Sequence, residues 1–532
     1  MSNNCPKCGA ITVQKRGISS RTTGENLQRY HCSQCQGWFS ISISPPKFPI
    51  EKTLKVEIPK QVQAFSGKFT RSDEWITEKL NSQKFVVTSA QSNTNVNQAF
   101  FNALKTYCHA NGAKLIIVPY RYKNPTTPNA EVVDEYPSEI HKYLIENKIN
   151  LHPKLQVLGQ LKIAATSDNP LGGLIPLSKG NSLIIGHNQL QMMTLPVQVN
   201  DHPVIMTTTG TISEKNYSIS KVGYKAEFNH SMSAVVVELD DDLFHIRHLN
   251  FDGTGFYDFD TYYTNKSLSL CADSVTAIVT GDEHAMFASE AVKNATYGVG
   301  GIVDSMPPKF IIRHDVLDCY SVSHHHRKNF LIQFKKHITG QNDMCAELNE
   351  TINYVLETTN HGAMNIFVAS NHTDHLTQWL NEADPKREPW NAILYHTLMA
   401  SMLTEIEGNP SKTPYPFELY SSQIFVDNMC DVTYLGRNDT YMIHDIEIAA
   451  HGDRGVNGSR GSRDQFANLS AKSIIGHSHS PGIEKGCYQV GTSSILQMEY
   501  NTGPSSWLNT HCLIYKNGKR QLINIIEGKW RA

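Results

Sequence analysis

Five apolar segments in the carboxy-terminal half of the chain each end in a short cluster of Asp, Asn or His, and this arrangement constrains the fold more than any other feature. The segments are VTAIVTGDEHAMF, KFIIRHDVLDCYS, MNIFVASNHTDHL, YMIHDIEIAAHGDRG and SIIGHSHSPG. Open α/β sheets place ligands beyond the carboxyl ends of their strands, so five such ends predict one shared site at a sheet edge. The metal-ligand candidates are Asp282, His284, Asp315, Asn371, His451, His477 and His479.

The chemistry of these side chains narrows the kind of site. A mixed set of Asp, Asn and His suits borderline divalent ions such as Mn²⁺, Zn²⁺ or Fe²⁺, whereas a set made of cysteines favours a closed structural zinc. We therefore expect a centre that keeps positions open for water and substrate. A single D-x-H or G-H-x-H motif is weakly specific, and the prediction depends on all five clusters occurring in order.

That order resembles the calcineurin-like metallophosphoesterase family, which includes double-strand-break-repair nucleases. The resemblance covers about residues 272–530 and implies a β-sandwich flanked by helices with two divalent cations, of which Mn²⁺ is most expected and Mg²⁺, Zn²⁺ and Fe²⁺ stay open. It implies one cation held by Asp282, His284, Asp315 and His479, and a second held by Asp315, Asn371, His451 and His477.

The same resemblance implies a catalytic role for His372, which would stabilise the transition state or protonate the leaving group. The alternative is a structural histidine beside the ligands. Asp318 and Asp374 complete the predicted catalytic set. The chain departs from the family pattern at three positions, because glycines are replaced and Thr373 separates the catalytic histidine from the next acidic residue; the replaced glycines correspond to His314 and Ser370.

The amino-terminal segment carries a second metal motif. Two C-x-x-C pairs are separated by 23 residues and are formed by Cys5, Cys8, Cys32 and Cys35. Four thiolates at this spacing predict a structural zinc that stabilises a small domain. The segment resembles zinc ribbons of transposase-type and phage DNA-binding proteins, which implies phosphate contacts by Lys15, Arg16, Arg21 and Arg29. A zinc with a purely structural role is the alternative.

A chain of 532 residues is long enough for several domains. We predict an α/β protein with a zinc ribbon at 1–42, a Pro- and Lys-rich connector at 43–82, an accessory α/β and β-rich domain at 83–271, and a metallophosphoesterase domain at 272–532. KFVVTSAQ, a helical segment and KLIIVPY predict a βαβ unit. No internal repeat is evident, and the middle region carries no functional motif.

Charge distribution and cysteine usage indicate the expected partner and cellular compartment of the protein. Residues 1–80 hold twelve Lys and Arg against six Asp and Glu, so with a net charge of -2 the remainder carries -8. A nucleic acid would therefore meet the basic end first. The eleven cysteines predict reduced thiols without structural disulfides. Since no signal sequence or membrane span is evident, we expect a cytoplasmic protein, located in the host bacterial cytoplasm if phage-encoded.

Two further segments admit more than one interpretation. The glycine-rich loop HGDRGVNGSRGSRDQF carries Arg454, Arg460 and Arg463 beside His451, and it either cradles a DNA backbone or is a solvated loop whose arginines pair with acids. The histidine run at 324–326 is interpreted as a solvated face in preference to a third metal site. Polar residues and Trp507 follow the last cluster, and a wall that faces the substrate is the less favoured interpretation of this segment.

The motifs together resemble the pre-early host-DNA-degradation proteins of large lytic siphophages, which implies a manganese-dependent DNase acting on double-stranded DNA. Two other functions are compatible with the residues: a phosphomonoesterase or nucleotide phosphatase, and a DNA-binding regulator without catalysis. A second copy of the chain or another phage protein is a further partner that the sequence leaves open.

Overall fold

The computed structural model describes residues 82–122, 134–198, 201–240, 242–359, 362–411, 414–498 and 501–532, together with residues 7–8, 13–20, 26–35, 38–42 and 53–55. The chain divides into two compact units, Met1–Lys52 and Thr53–Ala532. Cys5, Arg21 and most of the predicted connector lie outside the described residues.

Both units contain strands. Those before residue 160 are β1 (Val13–Ser20), β2 (Asn26–Cys32), β3 (Trp38–Ser42), β4 (Thr53–Lys55), β5 (Lys84–Gln91), β6 (Lys114–Tyr120), β7 (Lys148–His152) and β8 (Leu155–Leu158). The next are β9 (Ser182–Ile185), β10 (Gln191–Leu195), β11 (Val204–Thr208), β12 (Ser233–Asp240), β13 (Leu243–Asn250), β14 (Gly255–Asp258), β15 (Thr261–Thr264) and β16 (Ser267–Leu270). The last are β17 (Val275–Val279), β18 (Phe310–Arg313), β19 (Met364–Val368), β20 (Val432–Leu435), β21 (Met442–Ile443), β22 (Ile446–Glu447), β23 (Lys472–Ile475), β24 (Gly482–Glu484), β25 (Cys487–Gln489), β26 (Asn509–Tyr515) and β27 (Arg520–Ile525).

The described helices lie mainly in the carboxy-terminal half. They are α1 (Gln98–Asn111), α2 (Ile175–Ser178), α3 (Lys221–Phe228), α4 (Glu290–Tyr297), α5 (Ile302–Ser305), α6 (Phe330–Thr339), α7 (Met344–Thr358), α8 (Asn371–Glu382), α9 (Ala392–Gly408), α10 (Pro416–Asp427) and α11 (Arg463–Phe466). None of these described helices has both the length and the apolar character needed to cross a bilayer. The mixed α/β class agrees with the prediction.

The first unit contains a small antiparallel sheet in the order β1-β2-β3. Cys32 ends the central strand β2, and a turn follows it through Cys35. The second unit begins with β4, which pairs with β16 in a four-stranded sheet in the order β14-β15-β16-β4.

A six-stranded sheet in the order β20-β19-β18-β17-β26-β27 supports the predicted carboxy-terminal site. Strands β17 to β20 are parallel, so their carboxyl ends share one edge. Successive side chains of a strand point to opposite faces. Ile312 accordingly packs toward a second sheet, whereas Ile311 packs against the segment that carries α4 and α5. Helices α7 to α10 cover Phe367 of β19 on the same outer face.

The middle region confirms the βαβ unit, because β5 and β6 are parallel and α1 connects them. These strands lie in a four-stranded sheet in the order β13-β12-β5-β6. Asn97 caps α1, with its side-chain oxygen accepting from the backbone N–H of Phe100 at 2.9 Å. The rest of the region is mostly strand, as predicted.

A ten-stranded sheet joins the two predicted large domains. Its order is β21-β22-β23-β25-β24-β10-β11-β9-β8-β7, so strands from both sides of residue 271 pair through β24 and β10. One continuous core runs along it and includes Val87, Ile205, Ile312 and Ile474. The domain division at 271/272 stays a prediction about the chain, but the strands on its two sides share one sheet and one core.

The two sides of this sheet have the same strand arrangement. Strands β7, β8, β9, β11 and β10 pair in the same order and directions as β21, β22, β23, β25 and β24. In the overlying layer, β13-β12-β5-β6 likewise corresponds to β27-β26-β17-β18. Because β10 and β24 are antiparallel, the two halves are related by a pseudo-twofold arrangement.

No internal repeat is evident in the sequence, but the strand arrangement repeats. Local hydrogen bonds repeat as well as strands: the N–H of Ser493 donates to the carbonyl of Asp282 at 2.8 Å, and the N–H of Ile212 donates to the carbonyl of Ser89 at 2.9 Å. Short sequence matches also occur at corresponding positions, such as IIGH, which ends at His187 in one half and at His477 in the other. Strand pairing depends on backbone groups, so the fold persists where side chains have diverged.

Candidate metal centre

The strand ends of the carboxy-terminal half bring the predicted metal ligands together. Asp282 and His284 follow β17, Asp315 follows β18, and Asn371 begins α8 directly after β19. The remaining ligands follow the opposite sheet, where His451 comes after β22, and His477 and His479 come after β23. The centre therefore lies where the edges of the two sheets meet.

Two sets of close contacts define the centre. In the first, Nε2 of His479 lies 3.1 Å from Nε2 of His284 and 3.1 Å from Oδ2 of Asp282. In the second, Nε2 of His451 lies 3.0 Å from Oδ2 of Asp315, and the ring of His477 lies 5.3 Å from that of His451. The first set contains three of the ligands predicted for one cation, whereas near the second set the ligand atoms that converge within 4.8 Å belong to Asp282, His314 and His451, so the predicted second ligand set stays a prediction.

Several buried polar atoms of the centre have no hydrogen-bond partner among the described residues. They include Oδ1 of Asp282, Oδ1 of Asp315, Oδ1 of Asn371 and Nδ1 of His479. An unpaired buried polar group costs about 1–3 kcal/mol. Because these atoms are oxygens and imidazole nitrogens on convergent side chains, they fit divalent cations, and the groups in this region can hold metal ions.

The electrostatics of the centre depend on carboxylates packed against imidazoles. Burial opposes the charged form of Asp315, but His451 and His372 beside it hold its pKa well below the usual value. Burial likewise opposes the charged form of His284, but its hydrogen bond to Asp318 raises its pKa to about 9. A cation that binds here therefore displaces a proton from His284.

The backbone at the centre is strained. His284, Asp315, His477 and His479 all have positive φ, between 44° and 74°. Non-glycine residues rarely adopt this conformation, and such residues cluster at functional sites. Gly476 is required for a different reason: a Cβ there would lie 2.2 Å from Oδ1 of Asp282.

The departures from the family pattern have local explanations. Ser370 caps α8, since its hydroxyl accepts from the N–H of Thr373 at 3.2 Å and the hydroxyl of Thr373 accepts from the N–H of Ser370 at 2.8 Å. This capping box holds Asn371 and His372 in the first helical turn. His314 is buried, and its Nδ1 lies 3.2 Å from Nδ1 of His451, so it adds an imidazole beside the predicted ligands.

Asp318 contacts the predicted catalytic histidine, whereas Asp374 has other partners. Nδ1 of His372 donates to the backbone carbonyl of Asp318 at 2.7 Å, and the carboxylate of Asp318 lies 3.4 Å from the same nitrogen. Asp374 accepts from Arg437 at 2.8 Å and from Arg454 at 2.6 Å. Asp318 therefore orients both His284 and His372.

The arginines of the glycine-rich loop lie in different environments. Arg454 is exposed and pairs with Asp374, and Arg460 is an exposed residue that forms a β-bridge with Arg454. Arg463 packs against the sheet, with Nη1 donating to the carbonyl of Met192 at 3.5 Å, and burial lowers its pKa. Burial therefore disfavours Arg463 as a DNA contact, while the roles of the other two stay predictions.

A buried ion pair that the motif analysis did not identify anchors the loop between Asp282 and His284. Glu283 and Arg313 are both fully buried, and Nη1 of Arg313 donates to the two carboxylate oxygens at 2.9 and 3.0 Å. Arg313 also donates to Asn365 at 2.8 Å. Since Arg313 lies on β18, the pair fixes the first ligand loop to the neighbouring strand.

Replacing Arg313 with methionine is expected to destabilise the second unit by about 3–5 kcal/mol, because it leaves the Glu283 carboxylate buried without its cation. Urea unfolding followed by tryptophan fluorescence measures the loss. Adding Glu283→Gln to Arg313→Met removes the uncompensated charge and should restore part of the stability. An unfolding midpoint of Arg313→Met equal to that of the wild type would contradict the assigned role.

The histidine run lies close to the centre. His324, His325 and His375 have ring nitrogens within 4.8 Å of one another, so they form a further group that could hold a metal ion. His325 is exposed, whereas His324 and His375 are partly exposed. His375 also contacts the catalytic candidate, with ring centroids 5.1 Å apart for His372 and His375. The predicted solvated face therefore describes only part of this group.

In the first unit, three of the four predicted zinc ligands converge. The sulfurs of Cys8, Cys32 and Cys35 lie within 4.8 Å of one another, with 3.6 Å between those of Cys8 and Cys32. A hydrogen bond from the backbone of Cys35 lowers the pKa of Cys32 to about 7. This shift favours the thiolate form that binds metal ions. The identity of the metal stays a prediction.

One known protein is similar to the chain along most of its length. Protein A1 of Escherichia phage T5 is 32% identical over 476 residues, which cover 86% of this chain and 84% of Protein A1. The chain belongs to the Protein A1 family. No protein-family model matches it, and no solved structure does. The relation to Protein A1 supports the predicted phage connection, and the name states no activity.

Proposed function

We propose that the centre is a two-cation phosphodiesterase site of the calcineurin-like metallophosphoesterase type and that the protein is a DNase acting on double-stranded DNA. The observation that carries the proposal is the convergence of the five strand-end clusters, with unpartnered polar atoms on Asp282, Asp315, Asn371 and His479 among the described residues. The paired sheets with outer helices are compatible with the sandwich that this resemblance implies.

The residues that would hold the cations are the seven predicted ligands, with Asp315 shared between the two sets. At such a centre, two divalent cations supply polarisation of the phosphodiester, a lower pKa for water and stabilisation of the leaving oxygen. The strained backbone and the Glu283–Arg313 pair hold the ligand side chains in place before substrate binds. No covalent protein nucleophile is required.

His372 is the residue that we assign to proton transfer or transition-state stabilisation. Its Nδ1 donates to the carbonyl of Asp318, which leaves Nε2 available for the substrate. Its side chain is 18% exposed, whereas that of Asp318 is 5% exposed. His372 is thus accessible to a phosphodiester, while the hydrogen bond from Nδ1 to Asp318 fixes the orientation of its ring.

DNA as the substrate class is supported by three features of the chain. The chain belongs to a phage protein family, the first unit carries a cysteine cluster next to basic strands, and residues 1–80 have an excess of six positive charges. Degradation of host DNA would follow if the enzyme acts in an infected bacterium.

The test is a comparison of substrates with the full-length protein and Mn²⁺. Linear duplex DNA, an aryl phosphodiester and an aryl phosphomonoester are incubated separately, and product is measured with time. We expect cleavage of DNA and slower turnover of the aryl diester. Turnover of the monoester with DNA intact would instead identify a phosphomonoesterase.

Serine substitutions in the cysteine cluster separate DNA binding from chemistry. Cys8→Ser together with Cys35→Ser is expected to weaken DNA affinity roughly tenfold, or about 1.4 kcal/mol, because the first unit loses metal ligands. Turnover of the aryl phosphodiester should be unchanged. Fluorescence anisotropy and initial rates measure the two effects, with Cys345→Ser as the control. Equal loss of both activities would contradict a separate binding role.

A further inference from the structure

The repeated halves each contain a cleft at the same place in the fold. One cleft, of about 620 Å³, is lined by the β10–β11 connection, the β12–β13 turn, the segment leading into β26 and the end of β27. The other, of about 720 Å³, is lined by the β24–β25 turn, the β26–β27 turn, the segment leading into β12 and the end of β13. Each set of elements is the pseudo-twofold counterpart of the other.

The two clefts have opposite charge. The first is called the acidic cleft here, because its charged lining consists of Asp201, Asp242 and Glu527, without Lys or Arg among the described lining residues. It also contains Trp507, whose ring lies 4.1 Å from that of the metal-ligand candidate His479. The second is called the basic cleft, because Lys215, Lys472, Lys485, Lys519 and Arg520 line it against only Asp252 and Asp445.

The two acids of the basic cleft pair with only one of its lysines. Asp445 pairs with Lys472 at 2.5 Å, and Asp252 accepts hydrogen bonds from the uncharged groups of Tyr262, Asn517 and Thr254. Among the described residues, Lys485 and Lys519 have no acidic partner within 4.0 Å. Burial and the neighbouring Lys472 lower the pKa of Lys519, as expected of an ammonium group among like charges.

The amino-terminal half contributes the end of β13 to the basic cleft, and it lacks the predicted metal ligands. By strand pairing, Ser89 corresponds to Asp282 and Gln160 to His451. His187, which corresponds to His477, is fully buried, and its Nε2 donates to the carbonyl of Ala164 at 3.0 Å. Burial lowers the pKa of His187 to about 4, so it is a neutral structural residue. This half therefore retains the cleft without the predicted cation chemistry.

We propose that the basic cleft binds the phosphodiester backbone of DNA as a non-catalytic site separate from the metal centre. Lys485 and Lys519 supply the phosphate contacts. Arg520 is buried against the ring of Tyr488 and donates to the carbonyls of Ser473 and Gly486 at 2.9 and 2.8 Å, so it holds the β24–β25 turn in place. Lys472 begins β23, whereas the metal centre lies beyond its other end, roughly 13 Å of extended chain away. The bound phosphates therefore belong to a different part of the DNA from the scissile bond.

This proposal rests on DNA as the substrate class, and its test is independent of cleavage. Binding of the full-length protein to a short labelled duplex is measured without added divalent cations by fluorescence anisotropy over a range of salt concentrations. The slope of log K against log salt concentration is negative, and each lost phosphate contact reduces its magnitude by about 0.9. The double variant Lys485→Gln, Lys519→Gln is therefore expected to reduce the magnitude by about 1.8 and to weaken binding at low salt.

Two control variants make the result specific. Lys485→Arg with Lys519→Arg keeps both charges and should retain the wild-type slope, which separates charge from folding. Lys266→Gln with Lys386→Gln removes two exposed lysines outside the cleft and should also leave the slope unchanged. A wild-type slope for the glutamine pair at Lys485 and Lys519 would overturn the proposal.

Inorganic phosphate and single-stranded DNA identify the ligand further. Competition by single-stranded DNA at the same lysines would support a backbone site that does not require a duplex. If inorganic phosphate binds at these lysines but neither phosphate nor the lysine substitutions change the affinity for DNA, the cleft is a small-anion site and the proposal is overturned. If DNA cleavage were absent while the salt dependence of binding still required the two lysines, the proposed nuclease function would be wrong and the proposed DNA site in the basic cleft would be supported.

Discussion

Asp315→Asn is expected to lower DNA cleavage by on the order of 10³-fold or more while leaving the fold intact. Asp315 is the carboxylate shared by the two predicted cation sites, and it lies 3.0 Å from His451. An amide has the shape of the carboxylate but lacks its charge, so it cannot hold two cations equally well. Initial rates with linear duplex DNA and Mn²⁺ measure the loss.

Metal content decides whether this loss has the expected cause. The variant should bind less Mn²⁺ per chain than the wild type, while its circular dichroism spectrum and thermal midpoint should be close to those of the wild type. Asp384→Asn, at an exposed position, is the matched control and should be fully active. Full activity of Asp315→Asn would show that the two-cation assignment is wrong.

His372→Ala is expected to lower turnover by roughly 10²–10⁴-fold, the range found for a general acid or base. The ring does not belong to either predicted ligand set, so Mn²⁺ binding should be retained. A His372→Ala variant that binds Mn²⁺ but has lost turnover would differ from Asp315→Asn, which is expected to lose both. The measurements are single-turnover DNA cleavage and bound Mn²⁺ on the same preparation.

Asp318→Asn provides a graded test of the contact behind His372. Loss of a group that orients a functional histidine costs about 10–100-fold. The effect should therefore be smaller than that of His372→Ala and less than multiplicative when both substitutions are combined; part of it should remain, because the carboxylate of Asp318 also bonds to His284. His396→Ala, an exposed histidine on α9, is the control. Multiplicative losses in the double variant would contradict the assignment of Asp318 to positioning.

The sequence predicts where the candidate site lies better than it predicts the architecture around it. Asp282, Asp315 and His477 could be placed after strands because apolar strands and polar cluster residues follow each other along the chain. The partner of His372 could not, because Asp374 is the acidic residue near His372 in sequence, whereas Asp318 lies 54 positions away and only the fold brings it to the ring. Likewise, the Glu283–Arg313 pair joins residues thirty positions apart.

The internal repeat shows why the middle region gave no functional prediction. Its strands pair as those of the carboxy-terminal half do, but the ligand positions hold other residues, such as Ser89 and Gln160. Motif analysis depends on those side chains, whereas strand pairing depends on the backbone. His187 has a structural role in this half, because its neutral, buried ring donates a hydrogen bond to the carbonyl of Ala164.

The most direct test of the central claim is cleavage of closed-circular and linear duplex DNA by the purified protein with Mn²⁺, with Mg²⁺ and with EDTA. The account predicts cleavage that requires a divalent cation, is abolished by EDTA, and is absent in Asp315→Asn and His372→Ala. Loss of the closed circle would add endonucleolytic cutting. Intact DNA under all conditions, or cleavage that persists in EDTA and in both variants, would contradict a two-cation nuclease centre.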